Sequence, residues 1–243
     1  MRLQGKIALV TGASRGIGAA IARAYGAEGA LVGCLGRNRD DIRTTSAAIE
    51  SAGGKALPLE ADVTDPGSVE RAIRELTGDA ARLDLLVVNA GINVDQRPVE
   101  ESDPLAWQQT IAVNLTGAYH CIRLAIPYLK SSSGGRVVTI GSGTGHHARN
   151  SNSSYICSKA ALWALTRLLS DELAPYGISV NELIPGPVRT EMTVAEKGSG
   201  SVMNVGSEWI KNPDDVVPLA LYLASCPAPG PSGQTFSLMR RTG

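Results

Sequence analysis

The chain carries no net charge: 23 lysines and arginines balance 23 aspartates and glutamates over 243 residues. Lacking a basic excess, it is not expected to take nucleic acid or an anionic membrane surface as its main partner. A near-neutral surface favours self-association instead. No apolar run approaches the ~20 residues of a membrane-spanning helix. Only five residues precede the first strand, which leaves no room for a signal peptide. Cysteine is sparse and unpatterned. Cys34, Cys121, Cys157 and Cys226 form no C-x-x-C pair, zinc-ligand set or disulfide framework, so reduced thiols in a cytoplasmic protein are expected. The three histidines, including His146-His147, have no carboxylate or thiol at metal-ligand spacing in the sequence. No metal is expected.

What is present is a regular alternation. Apolar strands read at 6–10, 30–35, 55–59, 83–88, 136–140, 178–184 and 234–238. Helices read at 16–28, 39–52, 66–78, 103–130, 153–174 and 213–224, the fourth interrupted near Pro127. Continuous apolar strands separated by helices imply a parallel sheet covered on both faces. No internal repeat, low-complexity tract or linker breaks the pattern. The fold class is therefore α/β: one doubly wound, Rossmann-type domain over 1–243 with seven parallel strands and helices on both faces. The weakly apolar, Gly/Ser-containing stretch within 191–212 reads as a short flap over a substrate site.

The first strand runs into Thr11-Gly12-Ala13-Ser14-Arg15-Gly16-Ile17-Gly18, and a helix follows at once. Glycines permit the turn and let backbone approach a pyrophosphate, while the helix N-terminus presents unpaired N–H groups. The spacing is not the commoner G-x-G-x-x-G. No Lys-Ser/Thr follows the last glycine, which disfavours a triphosphatase loop. After the second strand comes Gly36-Arg37-Asn38, with no carboxylate until Asp40. An acid there would accept from a ribose 2′-hydroxyl. Arg37 and Arg15 could instead fork a 2′-phosphate, favouring NADP(H) over NAD(H). The competing reading is that Arg37 merely opens a solvated helix.

Tyr155 and Lys159 stand one helical turn apart, so an ammonium can sit beside a phenol. A free phenol titrates near ~10, and a nearby cation favours the ionised form. Each tenfold gain in that ionisation corresponds to about 1.4 kcal/mol. Alone, the pair could equally be a core tyrosine and a snorkelling lysine.

Together these residues resemble the single-domain branch of the short-chain dehydrogenases/reductases over essentially the whole chain, most closely bacterial 3-oxoacyl-(acyl-carrier-protein) reductases and related carbonyl reductases. Thr11–Gly18 is similar to that family's glycine loop, and Asp62-Val63 to the pair that contacts adenine. Asn89-Ala90-Gly91 is similar to the motif bordering the cofactor, and Asn114 to the helix asparagine. Ser142, thirteen residues before Tyr155, is similar to the catalytic serine, and Tyr155-x-x-x-Lys159 to the signature. Pro185-Gly186-Pro187-Val188-Arg189-Thr190 is similar to the segment that embraces the nicotinamide. Three positions depart from the pattern. Val88 replaces an asparagine, Gly141 replaces a serine, and Phe236 to Gly243 replaces the usual closing strand and Gly-Gly.

The resemblance implies an NADP(H)-dependent oxidoreductase acting on a small carbonyl/alcohol substrate. Tyr155 would exchange the proton and Lys159 would lower its pKa and bond the ribose. Ser142 would donate to the substrate oxygen. Asn114 would hold a relay water through its side chain or a freed backbone group, or would simply kink its helix. An NAD(P)-dependent sugar or polyol dehydrogenase and a non-catalytic NADP(H)-binding sensor are alternatives. About 50 residues after the proline-glycine segment are too few for an epimerase's substrate domain. The long helices around 103–130 and 153–174 have faces not needed by their own sheet, and Ala160, Ala161, Leu162, Trp163 and Leu165 are apolar almost all round. Packing of these helices against their counterparts predicts a homotetramer built as a dimer of dimers.

Overall fold

The seven apolar runs become one parallel sheet: β1 (Ile7–Thr11), β2 (Leu31–Gly36), β3 (Lys55–Glu60), β4 (Leu85–Val88), β5 (Arg136–Ile140), β6 (Ser179–Ile184) and β7 (Thr235–Ser237). Their order is β3-β2-β1-β4-β5-β6-β7, and each neighbouring pair is parallel. This computed structural model describes residues 1–147, 151–194, 208–227 and 230–239. Eight α-helices lie within those residues: α1 (Gly16–Ala27), α2 (Arg39–Ser51), α3 (Pro66–Thr77), α4 (Pro104–Ile111), α5 (Gly117–Lys130), α6 (Ser153–Leu173), α7 (Glu191–Val194) and α8 (Val217–Ser225). Of the flap expected at 191–212, residues 195–207 lie outside the described residues.

Strand periodicity sends alternate side chains to opposite faces, and two cores result. Leu9, Leu86 and Val180 pack with Val69 of α3, Ile122 of α5 and Leu162 of α6. Val10, Val87 and Leu183 pack with Ile21 of α1, Ile49 of α2 and Ala220 of α8. With both faces covered, the central strands can be apolar throughout. Three helices start where the sequence supplies a cap. Asn38 accepts from the amides of Asp40 and Asp41, Asp65 from Gly67, and Asp103 from Leu105. Each such cap stabilises its helix by about 1 kcal/mol. Pro66 and Pro104 follow two of them at the first helical position, where a missing N–H costs nothing.

The expected interruption near Pro127 is not where the fourth helix breaks. Pro127 lies inside α5, close to its end. The break is a π turn at Ala112–Thr116, between α4 and α5. It is centred on Asn114, whose amide bonds groups outside the helix. Among the described residues no helix is long and apolar enough to cross a membrane.

Candidate active site

The strands aim their C-terminal ends at one cleft of about 670 Å³. It opens where the chain leaves β1 for β2 on one side and passes to β4 on the other, the switch point at which open α/β sheets take ligands. Gly12 and Gly16 adopt φ of 65° and 57°, left-handed values that favour glycine. A β-carbon at residue 12 would lie 2.9 Å from the Ala90 backbone, and one at residue 18 would overlap the Gly12 carbonyl oxygen. Arg15, at the N-cap of α1, makes no side-chain capping bond. Flat backbone and uncapped amides therefore face the cleft, a cradle that fits a pyrophosphate.

Asn89 holds the cradle in place. Its Nδ2 donates to the carbonyls of Thr11 (2.9 Å) and Gly12 (3.1 Å), while Thr11 Oγ1 accepts from the amides of Asn89 and Ala90. Of the residues singled out by the sequence, Gly12, Ser14, Arg15, Gly16, Ile17, Arg37, Asn38, Asp62, Val63, Asn89, Ala90, Gly91, Tyr155, Lys159, Pro185, Gly186, Val188 and Thr190 line the cleft. Gly18, Asn114 and Ser142 do not. Gly18 packs on the Gly12 carbonyl, and Asn114 is wholly buried behind the cleft.

At the far end Arg37 stands 3.8 Å from Asp62 with an exposed guanidinium. Burial works against the Asp62 carboxylate, yet two bonds from Thr64 and the Arg37 charge outweigh it and hold its pKa below the usual value. Asn38 differs from expectation in one respect: its side-chain oxygen is engaged in capping α2. At the mouth Arg15 pairs with Glu191 at 2.7 Å, bridging the glycine turn and α7. Both side chains are exposed, so the pair contributes little stability.

At the opposite end Lys159 is 4% exposed, and its ammonium donates to the Ile140 carbonyl at 2.7 Å. Burial lowers its pKa to about 8, and the charge of Glu182 acts in the other direction. The ammonium lies 5.8 Å from the centre of the Tyr155 ring. Asn114 Oδ1 accepts from the Ile92 amide at 2.8 Å. Its Nδ2 donates to the Ile92 carbonyl at 2.9 Å and to Ser158 Oγ at 3.1 Å. The side chain is thus a clamp between the loop after β4 and α6, which leaves the backbone of the π turn for any relay role. Ser142 caps the turn at Gly143–Gly145, accepting from the Thr144 amide, and its hydroxyl lies 2.9 Å from Thr144 Oγ1.

Two residues escape sequence reasoning. Met239 lies over Gly143 and Gly186, against the first so closely that a β-carbon there would overlap its sulfur. Nothing in the tail's composition signals that placement. Glu182, 1% exposed in β6, approaches His146 Nε2 at 2.8 Å. Its signal is present in the sequence: one carboxylate inside an otherwise uncharged strand.

The short chain dehydrogenase family model matches residues 6–200. The 3-oxoacyl-(acyl-carrier-protein) reductase FabG of Escherichia coli (strain K12) is 33% identical over 239 residues, covering 97% of this chain and 96% of its own. A 3-ketoacyl-ACP reductase structure from Sinorhizobium meliloti 1021 is 34% identical at a TM-score of 0.86, over 96% of each chain. An NAD+-bound xylitol dehydrogenase structure is 25% identical at a TM-score of 0.89, covering 98% of this chain and 99% of that one.

Proposed function

The chain belongs to the short-chain dehydrogenase family and is an oxidoreductase acting on CH–OH/C=O groups; within that family we propose that it is an NADP(H)-dependent reductase of 3-oxoacyl thioester-like ketones. The observation that carries this reading is the buried Lys159 ammonium one helical turn from Tyr155, both lining a dinucleotide-sized cleft. The substrate class rests on the similarity to the two reductases above.

Gly12, Ser14, Arg15, Gly16 and Ile17 would hold the pyrophosphate, with Gly18 closing the turn beneath. Arg15 and Arg37 would take the 2′-phosphate, Asn38 would border it, and Asp62 and Val63 would bound the adenine. Asn89, Ala90 and Gly91 would flank the ribose. Pro185, Gly186, Val188 and Thr190 would line the nicotinamide side. The bound nicotinamide supplies a hydride. Tyr155 gives its phenolic proton to the substrate oxygen as charge develops there. The Lys159 ammonium favours the resulting phenolate. Ser142, released from Thr144, donates to the same oxygen. Asn114 keeps the Tyr155–Lys159 helix fixed against the cleft wall, since Ser158 stands between those two residues.

Leu105, Tyr119 and Leu168 on α4, α5 and α6 are 75%, 47% and 53% exposed. That apolar surface supports a dimer through these helices and a homotetramer built from two such dimers. A cytoplasmic location accords with four free thiols. The test is oxidation of NADPH over a panel of 3-oxoacyl thioesters, diketones and sugars, with Tyr155→Phe as the control. A polyol dehydrogenase is the second reading, favoured by the likeness to xylitol dehydrogenase. Turnover of sugar alcohols with NAD+ and none of oxoacyl thioesters would establish it instead.

A further inference from the structure

Gly141 stands where serine is usual in the resembling family, and Glu182 occupies the space that serine would need. A β-carbon at residue 141 would overlap Glu182 Oε1 and crowd its Cδ and Cγ. The carboxylate belongs to β6, one strand in from the sheet's edge, and is 1% exposed. Oε2 accepts from Thr235 Oγ1 at 2.8 Å and meets His146 Nε2 at 2.8 Å. Oε1 is buried with no hydrogen-bond partner among the described residues. A carboxylate so placed is costly unless an opposite charge compensates it.

The lysine of the site acts on it through a neighbouring residue and not by direct ion pairing. Lys159 bonds the carbonyl of Ile140, the residue next to Gly141, and Glu182 is the charged group that acts on its ammonium. Thr139 of β5 is the register partner of Glu182. The titratable groups facing this space are Lys159 and Tyr155 from α6, His146 from the turn after β5, and Glu182 from β6. Thr139, Ile140 and Gly141 from β5 and Thr235 from β7 are uncharged. His146 also stacks edge-on against Trp163 of α6 at 5.1 Å, which fixes the imidazole between the Ser142 turn and that helix.

The structure assigns to Glu182 the part of a positioning residue: its carboxylate stands against Gly141, one residue along the chain from the carbonyl that holds the Lys159 ammonium, and, through His146, anchors the turn that carries Ser142. Gly141 leaves the room that admits it. This rests on Lys159 serving Tyr155 in the reduction proposed above, but its charge effect can be read without turnover. An acid buried behind the catalytic lysine extends the pH range over which the ammonium persists, because Glu182 raises a pKa that burial lowers.

Three variants separate space from charge. Glu182→Gln keeps the shape and hydrogen-bonding capacity but removes the charge. In protein carrying ¹³C at lysine Cε, the midpoint of the Lys159 titration is expected to fall by about one pH unit. The alkaline limb of kcat/KM should move to lower pH with it. Gly141→Ser should lower the melting temperature through the overlap, and Gly141→Ser with Glu182→Ala should restore it while leaving the Lys159 titration at the lowered position. An unchanged Lys159 titration in Glu182→Gln would overturn the inference, even if Glu182→Ala weakens the fold. A lowered midpoint in a protein that reduces no ketone would uphold Glu182's effect on Lys159 and sink the reductase reading.

Discussion

The Lys159 ammonium, on a residue only 4% exposed, lies 2.7 Å from the Ile140 carbonyl oxygen. One neutral acceptor does not replace the hydration of an ammonium, so burial brings its pKa from 10.5 to about 8. Between those values the unfolded chain holds a proton that the folded chain has released. Stability therefore rises with pH across that window, and the full penalty, about 3 kcal/mol, is present below pH 8. With Glu182→Gln in place, so that no uncompensated carboxylate is left behind, Lys159→Met should melt at a higher temperature than the Lys159 protein at pH 7, with the gap shrinking towards pH 10.5. A gap independent of pH would contradict the burial argument.

Tyr155→Phe removes one hydroxyl from a ring that lines the cleft without emptying any packed volume. Its kcat should fall by about 10²–10⁴ while nicotinamide binding, followed by fluorescence, stays within about threefold. Retention of a tenth of the activity would mean that another group donates the proton.

Arg37→Asp replaces an exposed guanidinium, only loosely paired with Asp62, by a charge that repels a 2′-phosphate. The ratio of kcat/KM for NADPH over NADH should drop by at least about tenfold, equivalent to about 1.4 kcal/mol. An unaltered ratio would remove Arg37 from the cofactor site.

Met239→Ala trims an apolar, flexible side chain from above Gly143 and Gly186. Ketones with a bulkier group beside the carbonyl should gain in kcat/KM relative to small ones. If the ranking of substrates is identical in the two proteins, Met239 does not wall the substrate site.

Leu168→Glu places a charge on the exposed apolar surface of α6. Sedimentation should show a tetramer for the parent and smaller species for the variant at micromolar concentration. A parent that sediments as a monomer would dispose of the assembly.

The strands, their parallel sense and the glycine turn are legible in the sequence because each depends on local pattern: apolar runs, a cap followed by proline, glycines at positive φ. Boundaries read from the sequence fall within about two residues of those in the structure wherever a cap or a glycine marks them, as at Asn38 and Asp65. The helix interruption is misplaced because proline is the visible signal, whereas the actual break answers to Asn114's bonds with Ile92 and Ser158, 22 and 44 residues away. Glu182 with His146, and Met239 with Gly143, are likewise meetings of distant segments. Their energetics exist only once the sheet has brought β5, β6 and β7 together, and no spacing rule reports them.

The π turn at Ala112–Thr116 amounts to one residue more than an α-helix would need. Elsewhere in a helix, losing a residue rotates everything downstream by about 100° and misaligns the buried face. At this stretch a one-residue deletion would erase the wide turn and leave α4 and α5 in their present phase. The sheet and both cores would survive, and the clamp on Ile92 and Ser158 would be lost. Here, unusually, the chain can be shortened with only its chemistry forfeited.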